Sequence, residues 1–251
     1  MKHCCLYLFY ILFLLCSCNS RQQEHARQSV ATDSLYADSA VAAASPTSVQ
    51  SKTTRQPKSR TALYLDSLGF VSIAEADSTI VVDLMYTRAD NFTGSILYED
   101  LKEAYLHPEA MESLSRAQRL LKERHPGYSL IVYDAARPMS VQQKMWNVVK
   151  GTSKYIYVSN PTRGGGLHNY GLAVDLSILD EEGKPLPMGT PVDYFGREAH
   201  ITEEAQLVVQ GKITEAEQEN RLLLRKVMKE AGFRPLPSEW WHFNRYSRQT
   251  A

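Results

Sequence analysis

Two short stretches of this 251-residue chain hold residues whose types and spacing could bind a metal. The first, GGGLHNYGLAVDLSILD at residues 164–180, puts His168 ahead of Asp175. From Gly171 onward it alternates with a period of two. Leu172, Val174, Leu176 and Ile178 fall on one face, and Gly171, Ala173, Asp175 and Ser177 fall on the other. That pattern predicts a half-buried strand whose open face carries one carboxylate among small residues. Gly164, Gly165, Gly166 and Gly171 supply the backbone freedom to bring the His168 imidazole over the same face.

A working zinc site takes three protein ligands and keeps a fourth position open, so another donor must come from elsewhere in the chain. The second stretch, PSEWWHFN at residues 237–244, offers Glu239 and His242. On a regular strand their odd spacing would send them to opposite faces, whereas a helical turn or tight bend would bring them together, and a bend is predicted here. His168, Asp175 and His242 would then hold the ion. Glu239 would stand over the open position as a general base toward water, with Trp240 and Trp241 walling the site. His200 is the rival third ligand; His242 is preferred because it brings Glu239 with it. The spacing leaves a second reading open, in which the histidine beside the strand is a hydrogen-bonded structural residue and the paired tryptophans are core.

These residues resemble the VanX-type D-alanyl-D-alanine dipeptidases, members of the zinc DD-peptidase and Hedgehog-like group, with their SxHxxGxAxD and ExWH motifs. The likeness extends in the same order to DNFTG at 90–94, DAARP at 134–138 and PMGTPVDYF at 187–195. The resemblance implies one Zn²⁺ per chain and a D,D-dipeptidase acting on D-alanyl-D-alanine. It implies that Arg137 holds the scissile carbonyl and steadies the oxyanion, a task suited to a permanently charged guanidinium. It further implies that Asp193 receives the substrate ammonium group and that Tyr86 contacts the dipeptide. Read without the resemblance, Tyr86 is ordinary packing and Arg137 half of a surface ion pair. One position departs from the motif: Gly166 stands where the family has Ser, so a hydroxyl beside the substrate is lacking there.

Other activities remain open at this point. A D,D- or L,D-carboxypeptidase trimming peptidoglycan stems would use the same parts, and a wall-binding zinc module would use the metal without turnover. The formal net charge is zero, with no long basic run, which excludes a nucleic-acid partner. All four cysteines, Cys4, Cys5, Cys16 and Cys18, lie at the N-terminus, so the remaining chain is no cysteine peptidase and forms no disulfide.

Residues 1–18 read as an export signal: a short positive start, an apolar core too short to span a membrane, and Leu-Cys-Ser-Cys resembling a bacterial lipobox with Cys18 lipidated. The lipid would be the only membrane attachment, and the cell envelope, at the outer membrane facing the periplasm, the expected location. Residues 19–62, rich in Ser, Ala, Thr and Gln, read as a disordered tether, and 63–251 as the peptidase domain.

The elements that must position the site follow from pattern. Residues 78–86 and 129–133 read as strands. Pro108 opens a helix whose apolar stripe is Met111, Leu114, Ala117 and Leu121. Ser140 with Gln143, and Thr214 with Glu217, read as capping boxes opening two more helices. Residues 202–210 read as a short helix and 180–184 as a charged hairpin turn. The expected fold is α+β: a mainly antiparallel, Hedgehog/DD-peptidase-like sheet with helices against one side and the metal on the open face.

Overall fold

In the computed structural model, which describes residues 57–249, the alternating stretch around Asp175 is the middle strand of a five-stranded sheet. The described residues begin with helix α1 (Arg60–Ser67), strand β1 (Val71–Ser72), helix α2 (Ile73–Ala76) and strand β2 (Val81–Val82). It continues through β3 (Tyr105–Leu106), α3 (Pro108–Arg124), β4 (Ser129–Asp134), α4 (Met139–Val149) and β5 (Ala173–Leu179). It closes with α5 (Glu204–Val209), α6 (Glu215–Glu230), β6 (Arg234–Leu236) and β7 (Glu239–Asn244). The sheet order is β2-β4-β5-β7-β6, with β2 parallel to β4 and every other pair antiparallel. The expected α+β class with a mainly antiparallel sheet is what the protein has.

One face of the sheet is a conventional core. Leu172, Val174, Leu176 and Ile178 pack in one cluster with Leu114 and Leu121 of α3 and Leu224, Val227 and Met228 of α6. Helix α3 begins at Pro108, where a missing N–H costs nothing, and buries the predicted stripe. Helix α6 has the predicted capping box: Thr214 Oγ1 accepts from Glu217 N at 3.2 Å, and the Glu217 carboxylate accepts from Thr214 N at 2.7 Å. Each bond satisfies an otherwise orphaned donor at the helix start.

Four local expectations are corrected. Strand β5 is buried on both faces rather than one, because Ala173, Asp175 and Ser177 are covered as fully as their apolar neighbours. The strand expected over 78–86 shrinks to Val81–Val82; it lies at the sheet edge, pairs only with β4, and then winds into a 3-10 turn (Met85–Thr87) that buries Tyr86. Helix α4 starts at Met139 with Pro138 at its cap and no side-chain cap, so Ser140 and Gln143 form no capping box. The proline presets the helical φ, and Gln142, not Gln143, turns inward. Helix α1 also starts ahead of Leu63, the expected start of the domain: Ser59 caps it by accepting from Ala62 N, and Thr61 bonds Asp100. The export signal, Cys18 and nearly all of the 19–62 tether lie outside the described residues. Among the described residues no helix is long and apolar enough to cross a membrane.

Gly171 links the His168 turn to β5. Its φ is +64°, and a Cβ there would sit against Phe70 and 2.8 Å from the backbone nitrogen of His107. A left-handed non-glycine residue and overpacking each cost about 1–3 kcal/mol. Gly171→Ala should therefore lower unfolding stability by about 2–5 kcal/mol in a denaturant titration; a loss below 1 kcal/mol would contradict this geometry.

Candidate metal centre and catalytic pocket

Asp175 sits at the centre of the sheet with a different chemical partner on each side. Its register partner on β7 is His242, and its partner on β4, across an irregularity after Val132, is Asp134. Directly opposed residues of an antiparallel pair share a face, so Asp175 and His242 meet: Oδ1 lies 2.9 Å from His242 Nδ1. His168 comes from a 3-10 turn (Leu167–Tyr170) that is stitched to the loop after β4, since Arg137 N donates to His168 O at 2.9 Å. Its Nε2 is 3.2 Å from Asp175 Oδ2 and 3.2 Å from His242 Nδ1.

The outer hydrogen bonds decide what these three groups present to one another. His168 Nδ1 lies 2.8 Å from the Ala135 carbonyl oxygen, which can only accept, so Nδ1 carries the proton and Nε2 presents a lone pair. His242 Nε2 donates to Asn244 Oδ1 at 2.9 Å, leaving a lone pair on Nδ1. Two imidazole lone pairs and a carboxylate thus converge, three acceptors with no donor between them. Their separations, 2.9 to 3.2 Å, are close to the edges of about 3.3 Å that tetrahedral ligands have at metal distances of about 2.0–2.1 Å. The donor set fits a small divalent cation, and among the described residues it is the only cluster of at least three such groups close enough to hold one.

The electrostatics express the same demand for positive charge. Burial works against ionising the His168 ring, but the Asp175 carboxylate outweighs it and raises the imidazole's pKa. Burial opposes ionisation of Asp175 too, yet His168 and His242 hold its carboxyl well below the usual range. Rival His200 takes no part; its buried Nε2 finds no partner and it stands outside the cluster.

Glu239 reaches the site through a bulge in a strand rather than the expected tight bend. Leu236 pairs with Glu239 and Pro235 with Phe243, so Trp240, Trp241 and His242 are inserted opposite no β6 residue. Strand alternation is lost across that insertion, and Glu239 Oε2 comes within 3.8 Å of His242 Nδ1. Burial pushes the Glu239 carboxyl up to about 7, with Asp175 and Asp193 adding to it against His242. The tryptophans do not wall the pocket. Both are at most 4% exposed, stacked edge-to-face in the core, with Trp240 Nε1 donating to Thr190 Oγ1 at 2.8 Å. The walls are Phe92, Phe195 and Tyr157, with Phe195 stacked on Tyr157 at 5.0 Å and edge-on to Phe92 at 5.1 Å.

Arg137 lines the same pocket, and its ion pair is buried, not on the surface. It donates through Nε to Asp134 Oδ2 at 2.9 Å and through Nη1 to Gln142 Oε1 at 3.0 Å, and lies over the Tyr86 ring. Burial works against its charge, but Asp134 outweighs that and keeps the guanidinium's pKa well above normal. Tyr98 donates to the other oxygen of Asp134. Opposite stands Asp193, the sole non-glycine residue with positive φ (62°) among the described residues, its Oδ2 accepting from Tyr86 OH at 2.7 Å. Burial and the Asp175 charge raise this carboxyl to about 7.

His168, Asp175, His242, Glu239, Arg137, Asp193 and Tyr86 therefore line one cavity of about 320 Å³, whereas His200, Trp240 and Trp241 do not, and Cys18 lies outside the described residues. Asp134, Gln142, Tyr98 and Asn244 were given no role in advance. Asn244 was findable, since two residues past His242 on a strand is the same face. Buried Gln142 in an apolar helix face signals only that some polar partner exists.

A model of the D-ala-D-ala dipeptidase family matches residues 66–250. The chain is similar to the D-alanyl-D-alanine dipeptidase of Escherichia coli, 32% identical over 178 residues that span 71% of this chain and 85% of that protein. It is 28% identical to the enzyme of that name from Enterococcus faecium over 193 residues, 70% of this chain and 91% of the other. The namesake from Synechocystis is 28% identical over 179 residues, 59% of this chain and 71% of the other.

Asn244 fixes the His242 tautomer without touching the cation position. Asn244→Ala should weaken binding of a divalent cation, probed with added Zn²⁺ in a competitive chelator titration, about 10- to 100-fold; unchanged affinity would mean that the ring is oriented by something else.

Proposed function

Because the chain belongs to the D-ala-D-ala dipeptidase family, a family of metallopeptidases, we propose that its pocket holds one Zn²⁺ on His168, Asp175 and His242 and hydrolyses D-alanyl-D-alanine to two D-alanines. The observation that carries this reading is the convergence of three acceptors beside a buried carboxyl at Glu239. Zinc bound there would supply Lewis acidity, bringing the pKa of water near neutrality and polarising the substrate carbonyl.

The protein's own groups divide the remaining work. Asp193, braced by the Tyr86 hydroxyl, receives the ammonium of the dipeptide; the arriving positive charge restores ionisation to a carboxyl that burial keeps near 7. The two Arg137 N–H groups not spent on Asp134 and Gln142 face the carbonyl oxygen and stabilise negative charge as it develops. Glu239 takes a proton from the attacking water and passes it to the departing amine, a task suited to a carboxyl with a pKa near the working pH. The cavity of about 320 Å³, closed by Phe92, Phe195 and Tyr157, lies at the small end of ligand pockets and suits a dipeptide better than a stem peptide.

The location proposed from the N-terminus is a lipid anchor at Cys18, holding the domain at the bacterial outer membrane on the periplasmic side. Labelled palmitate should enter the wild-type chain and not a Cys18→Ser variant; equal labelling would remove the anchor.

The catalytic assignment is tested on zinc-loaded protein with D-Ala-D-Ala, its N-acetyl derivative and a stem pentapeptide. Glu239→Gln should lower kcat about 10²–10⁴-fold while still binding zinc. Wild-type kcat/KM should fall as pH drops through the Glu239 pKa, since a base must be deprotonated; that limb lies at about 7 for the pocket without added charge and lower once positive charge enters. Asp193→Asn should raise KM for the free dipeptide. Cleavage of the pentapeptide but not the dipeptide would replace this reading with a carboxypeptidase, and full activity in Glu239→Gln would remove its base.

A further inference from the structure

The groups assigned so far serve the ammonium, the scissile carbonyl and the attacking water. The terminal carboxylate of a dipeptide has no partner among them. The departure at Gly166 points to one. A Cβ built on Gly166 would lie 2.9 Å from Ser159 Oγ and 3.3 Å from Ser159 Cβ, so the two positions compete for one space. Gly166 has φ −115° and ψ −180°, extended backbone that any residue adopts. Conformation does not require glycine there; a side chain at 166 would instead have to displace the Ser159 hydroxyl.

Ser159 and Gly166 line the catalytic cavity together with His168 and Arg137. The Ser159 hydroxyl makes no hydrogen bond to any described residue, while its main chain is fixed: Gln142 Nε2 donates to Ser159 O at 2.8 Å. The other end of the same buried amide accepts from Arg137 Nη1 at 3.0 Å. Gln142 thus ties the free hydroxyl at a set offset from the guanidinium. Arg248 also lines the cavity and donates through Nη2 to Arg163 O in the turn before Gly166, adding positive charge beside that turn.

Resting on the dipeptidase reading, we propose that Ser159 is a specificity residue whose hydroxyl, delivered from the segment after a 3-10 turn (Ser153–Tyr157), donates to the free C-terminal carboxylate of the substrate. It occupies the space of a position 166 side chain and supplies from another part of the chain the hydroxyl that Gly166 lacks. The consequence is a preference for peptides ending in a free acid immediately after the scissile bond.

Relocating the hydroxyl tests this. On zinc-loaded protein, Ser159→Ala should raise KM for D-Ala-D-Ala about tenfold or more, as expected for one hydrogen bond to a charged group, with kcat within about twofold. It should also lower the preference for D-Ala-D-Ala over its C-terminal amide. Ser159→Gly combined with Gly166→Ser returns a hydroxyl to the same space from the other backbone, and should recover both KM and acid preference. A purely structural role for Ser159 would not give that rescue. Unchanged KM and acid preference in Ser159→Ala, or a double variant no better than Ser159→Ala, would overturn the proposal. Calorimetric binding of the dipeptide in a Glu239→Ala background separates the two readings. If binding weakens on loss of Ser159 although the wild type hydrolyses no dipeptide, the hydrolase reading falls and this one stands. If the dipeptide is hydrolysed and Ser159→Ala binds it normally, the reverse holds.

Discussion

Three hydrogen-bond acceptors aimed at one point organise this protein. A carbonyl oxygen holds one imidazole by its outer nitrogen and an asparagine holds the other, so neither ring can turn a proton inward without giving up an outer bond. The Asp175 carboxylate completes the set from the middle of the sheet. In a buried site such a convergence is repulsive until a positive charge enters. A proton on His168 is the least that satisfies it, which is why that imidazole is the more basic for its surroundings; a divalent ion satisfies all three at once.

Charge balance extends the argument to the rest of the pocket. Asp134 and Arg137 form a buried pair, with Tyr98 bound to the second Asp134 oxygen and Gln142 to one further Arg137 N–H, which leaves two guanidinium N–H groups free. Those bonds hold the guanidinium in place. Asp193 and Glu239 have no such partner, and burial raises both carboxyls to about 7. Two carboxyls that ionise when positive charge arrives, beside one cationic group that never loses its own, form a site whose electrostatics are completed by a metal and an ammonium-bearing ligand. The walls then set size, and Ser159 adds a hydroxyl to the same lining.

Much of this was legible in the chain because it rests on short-range periodicity. Alternation around Asp175 placed the strand, its inward apolar face and the carboxylate on the other face. Capping chemistry placed α6, and Pro108 placed α3. What could not be read depended on contacts between distant segments. Burial of the second face of β5 comes from chain far along the sequence, and no local pattern announces it. Trp240 and Trp241 were misplaced because they lie in the bulge, where two consecutive residues are buried and period-two reasoning fails. The relation between Gly166 and Ser159 is a shared volume, invisible until the two backbones are seen side by side.

The departures from regular structure gather at one end of the sheet, and each aims a functional group. The β4–β5 register slips between Val132 and Asp134, which swings Asp134 beneath Arg137 and next to Asp175. The β6–β7 register slips between Pro235 and Leu236, which lets Glu239 and His242 share a site despite an odd spacing. Asp193 takes a left-handed conformation that costs a side chain about 1–2 kcal/mol, and its carboxylate thereby meets Tyr86. The paired region of β4, β5 and β7 supplies a rigid frame with Asp175 fixed in it. Irregularity on either side supplies the acids that a regular sheet would have pointed elsewhere. Such bulges persist where a re-aimed side chain repays the lost ladder bonds, and here both flank the strand that carries the central ligand.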